Sequence, residues 1–242
     1  MKVNHNPEHI FLEKQRIEKL SQIREIVFGA QDGLLVPLGV VSSIAGAFSN
    51  NHIVIVAGVA EALAGAFSMA TGAYLGSKAE AQVFQSEINH ERAAIEKYPE
   101  EEKQELILLF ESEGLNTKDA EIVVEKLFKN PKSFFNTMIQ KELGIEPQPA
   151  STPTKDALYI GFSYLFAAII PIFPYFFFPS QKAVIFSILL TLISLFGIGL
   201  LKAKFAKLSY LASGLQVMVI GALAGVGGYF LGNILPHILG IE

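Results

Sequence analysis

The sequence predicts an all-α integral membrane protein: five transmembrane helices, with a cytoplasmic helical metal-binding insert between spans two and three. Three observations lead there. Of the 242 residues, 51% are hydrophobic and 17% charged, with a mean hydropathy of +0.40; soluble domains carry about 25% charged residues. The apolar residues gather in five blocks of about 20, the length that crosses a bilayer core. Most of the charge falls outside those blocks, at the N-terminus, across residues 76–156 and in a short lysine-rich loop.

The first 25 residues are polar and mixed in charge, without the apolar core of a cleavable signal. Spans are expected at about 26–48, 52–75, 157–178, 183–201 and 210–233, with 234–242 as a tail. The stretch from Ala157 to Gln181 has no charged residue and is the plainest of the five. Cysteine is absent, so neither disulfides nor thiolate metal ligands are available.

Lysine and arginine set the orientation. The N-terminal segment, the 76–156 segment and the loop after span four together hold eighteen, against Lys182 alone on the other side. Under the positive-inside rule the N-terminus and the insert are cytoplasmic and the C-terminal tail is external. An odd number of spans is required, in keeping with five.

Within 76–156, span two is expected to continue as one helix to about Lys97. Pro99 opens a second helix at its first turn, where Glu100, Glu101 and Glu102 favour the positive end of the dipole. Gly114 closes it. Asn116 or Thr117 caps a third helix to about Lys129, and Asn130-Pro131 begins a fourth that ends near Gly144. Residues 146–153, EPQPASTP, read as a linker. Val83, Leu106, Leu109, Phe110, Val123, Val124, Leu127, Phe128, Phe134 and Phe135 are the expected core of this insert.

Carboxylates recur on these helices. Glu80, Glu87 and Glu91 are spaced i, i+7, i+11 and share one stripe. Glu102 and Glu105 are i, i+3; Met138 and Glu142 are i, i+4. Such a set suits a divalent cation, and a thioether tilts the preference toward a softer transition ion. The same residues also read as a solvated acidic face with Met138 in the core. Glu87-Ile-Asn-His90 matches one Glu-x-x-His element of a di-iron bundle, but only one copy is present. A ferritin-like oxidase is therefore not expected, and His90 reads as a surface residue.

Inside the membrane the reading is sharper. Asp32 on span one and Glu61 on span two are acids in apolar runs. A carboxylate at mid-span costs about 2.5–3.5 kcal/mol on translocon scales, so its default reading is functional. Met69 lies two turns from Glu61, about 12 Å along the helix at 1.5 Å per residue. Gly29-x-x-x-Gly33 brackets Asp32, and Gly72-x-x-x-Gly76 ends span two; both permit close approach of span two or of a second copy. Pro37 is expected to kink span one.

The order of DGL in span one, AEALAGAFSMATG in span two, an acidic helical insert and three further spans resembles the vacuolar iron transporter family. The resemblance runs from about Arg24 almost to the C-terminus. It implies a homodimer of five-span subunits that exchanges cytosolic Fe²⁺, and often Mn²⁺, for protons, with the ion path at the dimer interface. It implies transport-path roles for Asp32, Glu61 and Met69. It implies metal ligands at Glu91, Glu102, Glu105, Met138 and Glu142, with Glu87 on the same stripe. Two positions depart from the family pattern: Ala94 and Ala73 stand where members commonly carry Glu. The expectation is a transporter and not an enzyme, with lipid, divalent metal and protons as partners and no nucleic acid. No cofactor is expected to be permanently bound; Fe²⁺ or Mn²⁺, with Zn²⁺ as a surrogate, is cargo. The membrane would be cytoplasmic in a prokaryote and vacuolar in a eukaryote. The alternative is a membrane-anchored metal buffer or sensor, which leaves the acids on two spans unexplained.

Overall fold

Helix accounts for nearly all of the computed structural model, which describes residues 7–144 and 152–240. Among these residues there are eight α-helices and no strand: α1 (Pro7–Ala47), α2 (Asn51–Lys97), α3 (Pro99–Ser112), α4 (Thr117–Phe128), α5 (Pro131–Lys141), α6 (Pro153–Ile172), α7 (Ser180–Ala206) and α8 (Tyr210–Leu239). A 3-10 turn, Phe173–Phe176, follows α6. Among the described residues, five helical stretches are long and apolar enough to cross a membrane: Gln22–Ala47, Asn51–Lys97, Pro153–Phe176, Ser180–Phe205 and Tyr210–Ile234. The linker proposed at 146–153 lies almost wholly outside the described residues.

Two features of α1 add to the sequence reading. Its described part runs from Pro7, so residues 7–25 of the polar N-terminal segment are helical and continuous with span one. The helix also continues on both sides of Pro37, the position of the expected kink; spans tolerate an internal proline because neighbouring groups satisfy the freed carbonyl.

The chain divides into two units, Met1–Leu75 with Ser151–Glu242, and Gly76–Ala150. In the first, α6 and α8 pack along α1, and α7 packs on α8. Glycine decides how close they come. A Cβ at Gly33 would lie 2.3 Å from the carbonyl oxygen of Tyr164, and one at Gly232 would lie 1.7 Å from that of Ser43. Both distances are impossible, so these crossings require glycine. The Gly29/Gly33 face is therefore filled by span three of the same chain, not by span two or a second copy as the spacing alone had allowed. Close contact lets polar groups bridge helices: Ser43 Oγ donates to the Gly228 carbonyl at 2.7 Å. Asn51, at the start of α2, donates to the carbonyls of Tyr175 and Phe178. Val54, Ala62 and Ala66 of α2 join Tyr164, Ala168 and Ile172 in one buried cluster.

The second unit has its own core, in which Leu106, Ile107, Ala120, Val124, Phe134 and Met138 are buried. Its punctuation follows the sequence. The Asn116 side chain accepts from the Asp119 N–H at 3.0 Å and that of Asn130 from the Ser133 N–H at 3.2 Å, capping α4 and α5. Gly114 takes φ +103°, which suits glycine, where α3 ends. Val83 departs from expectation: it is exposed and no part of this core. Ion pairs Lys103–Glu125 (2.6 Å) and Lys141–Glu113 tie α3 to α4 and to α5.

Candidate functional site: two sets of carboxylates

The first set belongs to the membrane-type unit. Asp32 is half-buried on α1 and Glu61 half-buried on α2, close enough to interact electrostatically. Among the described residues neither has an ion-pair partner. Glu61 has one hydrogen bond: Tyr164 on α6 donates its hydroxyl to Oε1. The other oxygen, Oε2, is buried and unpartnered. Met69, two turns along α2, packs at the edge of the cluster that contains Tyr164. The arrangement offers carboxylate oxygens and one thioether in apolar surroundings, and among the described residues no lysine or arginine pairs with either acid. Tyr164 escaped the sequence reading. The signal available was a tyrosine within the charge-free span, since a buried phenol needs a hydrogen-bond partner.

The second set lies in the Gly76–Ala150 unit. Glu91 on α2, Glu102 in the first turn of α3 and Glu142 at the end of α5 converge, with carboxylate oxygens all within 4.8 Å of one another. Three features of the local sequence produce this. The long α2 continues past Gly76 and supplies Glu91 to this unit. Pro99 starts α3 so that Glu102 sits at its positive end. Glu142 caps α5, with its N–H on the Met138 carbonyl at 2.8 Å. The negative end of that helix disfavours a carboxylate, which a cation would offset.

Glu91 is only 4% exposed, and its Oε1 has no partner. Burial first, then the charges of Glu142, Glu102 and Glu105, push its carboxyl up to about 8. Glu102 is also raised, by burial and then by Glu105 and Glu142. Unit charges about 4 Å apart interact by about 4 kcal/mol at an effective dielectric constant of about 20, so three ionised carboxylates here repel strongly. Two lysines of this unit, Lys103 and Lys141, are paired elsewhere, with Glu125 and Glu113. A divalent cation of oxygen-ligand preference fits such a set.

The other predicted ligands fall in different places. Glu105 is exposed but close enough for its charge to act on Glu91 and Glu102. Met138 is fully buried in the apolar core with Leu106, Val124 and Phe134. Glu87 and His90 are exposed. Ala94 is half-buried one turn beyond Glu91 and adds no donor, and Ala73 adds none on the spans.

Comparison with known proteins decides the family. The sequence profile of the VIT family matches residues 23–233. The chain belongs to the VIT family. Its relatives include a vacuolar iron transporter of Centaurea cyanus, 34% identical over 94% of this chain and 91% of its own length. Vacuolar iron transporter 1 of Oryza sativa subsp. japonica is 33% identical over 93% and 88%. The vacuolar iron transporter of Plasmodium berghei is 31% identical over 94% and 85%. These VIT family relatives are named as transporters, not as enzymes.

Proposed function

We propose that this protein moves Fe²⁺, and also Mn²⁺, across a membrane out of the cytosol in exchange for protons. The observation that carries the reading is the pair Asp32 and Glu61: acids on two apolar spans with no ion-pair partner among the described residues. Groups so costly to place in a bilayer need an ion to justify them. Metal and protons compete for the same oxygens, so release of one follows binding of the other; that competition is the physical basis of exchange. Met69 supplies a soft contact along the path, favouring a transition ion over Mg²⁺ or Ca²⁺. The acidic set of Glu91, Glu102 and Glu142, with Glu105 beside it, captures the ion on the cytosolic side. In this reading the N-terminus and the Gly76–Ala150 unit face the cytosol, and the membrane is vacuolar or, in a prokaryote, the plasma membrane.

Uptake of Fe²⁺ under reductant, or of Mn²⁺, into sealed proteoliposomes with an acidic lumen tests this. Accumulation should exceed the protein present by orders of magnitude and collapse on permeabilisation. Uptake no greater than the binding capacity of the protein would leave a membrane-anchored metal buffer instead.

The active form is a homodimer. Ala60, Ala64, Ser68 and Gly72 repeat every fourth residue along α2, and all are exposed within the protomer. A ridge of small residues lets a second helix approach closely. It runs beside Glu61, so a second copy there would enclose the acids in a shared path. Single cysteines at Ala60 and Ala64 should form disulfide-linked dimers in membranes. No trapped dimer across a cysteine scan of the exposed positions from Val56 to Thr71 would count against this interface.

A further inference from the structure

Tyr164 carries a role beyond packing. It is 1% exposed, within the stretch from Ala157 to Gln181 that has no charged residue, and its hydroxyl ends on Glu61 Oε1. Two glycines on two other helices make room for it. A Cβ at Gly65, one turn beyond Glu61 on α2, would lie 2.3 Å from the Tyr164 hydroxyl oxygen and 2.6 Å from Cζ. A Cβ at Gly33, the residue after Asp32 on α1, would meet the Tyr164 backbone, with its carbonyl oxygen at 2.3 Å. One residue of α6 is thus seated against both acid-bearing helices, at the turn of each that holds the acid. Its one polar side-chain group is spent on one oxygen of one acid, and Glu61 Oε2 is left buried and unpartnered.

A phenol hydroxyl is a sufficient donor for one carboxylate oxygen and carries no charge to compete with a cation. A lysine or arginine in the same place would neutralise the acid and close the site to metal. The bond also fixes the carboxylate rotamer, so that Oε2 stays in one position for an incoming ion. A carboxylate free to rotate would have to be ordered on each binding event, at a cost in affinity.

From this geometry we infer that Tyr164 is a positioning residue for the transported divalent cation: seated by Gly65 and Gly33, it holds Glu61 by one oxygen and presents the other as ligand. The inference rests on the transport reading above and adds a third span to the path. It is a role for the hydroxyl, separate from the ring's part in the core.

Tyr164→Phe keeps the ring and removes only the donor, so the fold survives while the carboxylate is released. Mn²⁺ uptake by full-length protein in proteoliposomes, measured against concentration, separates the possibilities. In Tyr164→Phe the KM should rise about tenfold, the scale of a lost hydrogen bond to a charged group, and by a larger factor than Vmax falls. Gly65→Ala, which pushes the ring away, should raise KM similarly, and the double variant should raise it no further. Thermal stability reports packing separately: it should drop in Gly65→Ala and change little in Tyr164→Phe. Wild-type KM in Tyr164→Phe, with uptake still lost in Glu61→Gln, would overturn the positioning role and leave transport standing. Absence of uptake in the wild type would overturn both.

Discussion

Asp32→Asn, reconstituted alongside the wild type, should lose metal uptake by about a hundredfold or more while keeping its fold. The amide occupies the same volume but supplies no charge to a divalent cation and takes up no proton. In a low-dielectric site that charge is worth several kcal/mol, far more than in water. Nothing nearby substitutes for it: among the described residues Asp32 has no ion-pair partner, and Glu61 already has one oxygen tied to Tyr164. The loss should therefore appear with either Fe²⁺ or Mn²⁺ and at every lumenal pH. Folding should be spared or even improved, because the acid is an expense to the apo bundle. Thermal unfolding in detergent and uptake by the same preparation check both halves. Near-normal flux in Asp32→Asn would mean that the ion takes another route.

The second large effect is expected at Glu91. Its carboxyl titrates near 8 in the folded chain, against an ordinary 4.5. The sign follows from which state holds the proton. Below about pH 4.5 the group is protonated folded or unfolded and its contribution to stability is fully present. Between 4.5 and 8 the unfolded chain gives up the proton while the folded chain keeps it, so stability without metal falls as pH rises through that window. Glu91→Gln removes the loss. The variant should match the wild type near pH 4 and unfold at a higher temperature than metal-free wild type at pH 8. Metal binding shows the opposite pattern. A cation must displace the Glu91 proton, so wild-type affinity should climb with pH up to about 8, by about tenfold per unit for one proton released. Glu91→Gln should weaken binding by two to three orders of magnitude, roughly the worth of one unit charge at this distance, and flatten its pH dependence. Calorimetric titration of the full chain with Mn²⁺ or Zn²⁺ at pH 6, 7 and 8 measures all three. Unchanged affinity in Glu91→Gln would make the convergence of Glu91, Glu102 and Glu142 a solvated acidic surface.

Some of this was legible in the sequence and some was not, for physical reasons. The apolar stretches were plain because nothing competes with an uninterrupted run of some 20 apolar residues. The α3, α4 and α5 boundaries were plain because Pro99, Asn116, Gly114 and Pro131 act locally, through a missing N–H, a side-chain cap or a positive φ. Partner choice is not local. Gly29-x-x-x-Gly33 announces close packing but says nothing of what packs, and the occupant is α6. Val83 illustrates the same limit in reverse: it is apolar yet exposed, because no helix of its own unit covers it. Glu91, Glu102 and Glu142 stood on three separate stripes, and only the turns between their helices bring the oxygens together. Tyr164 was missed for a different reason. A tyrosine in an apolar span is common, and its meaning came from a hydroxyl aimed at an acid 103 positions away.

Coupled exchange is tested most directly by following metal and protons together in sealed proteoliposomes that hold a lumenal pH indicator. With no gradient imposed, external Fe²⁺ or Mn²⁺ should enter and the lumen should turn alkaline on the same time course, as protons leave in exchange. Glu61→Gln should abolish both signals. Metal entry without any lumenal pH change, or no entry at all, would contradict proton-coupled transport by this protein.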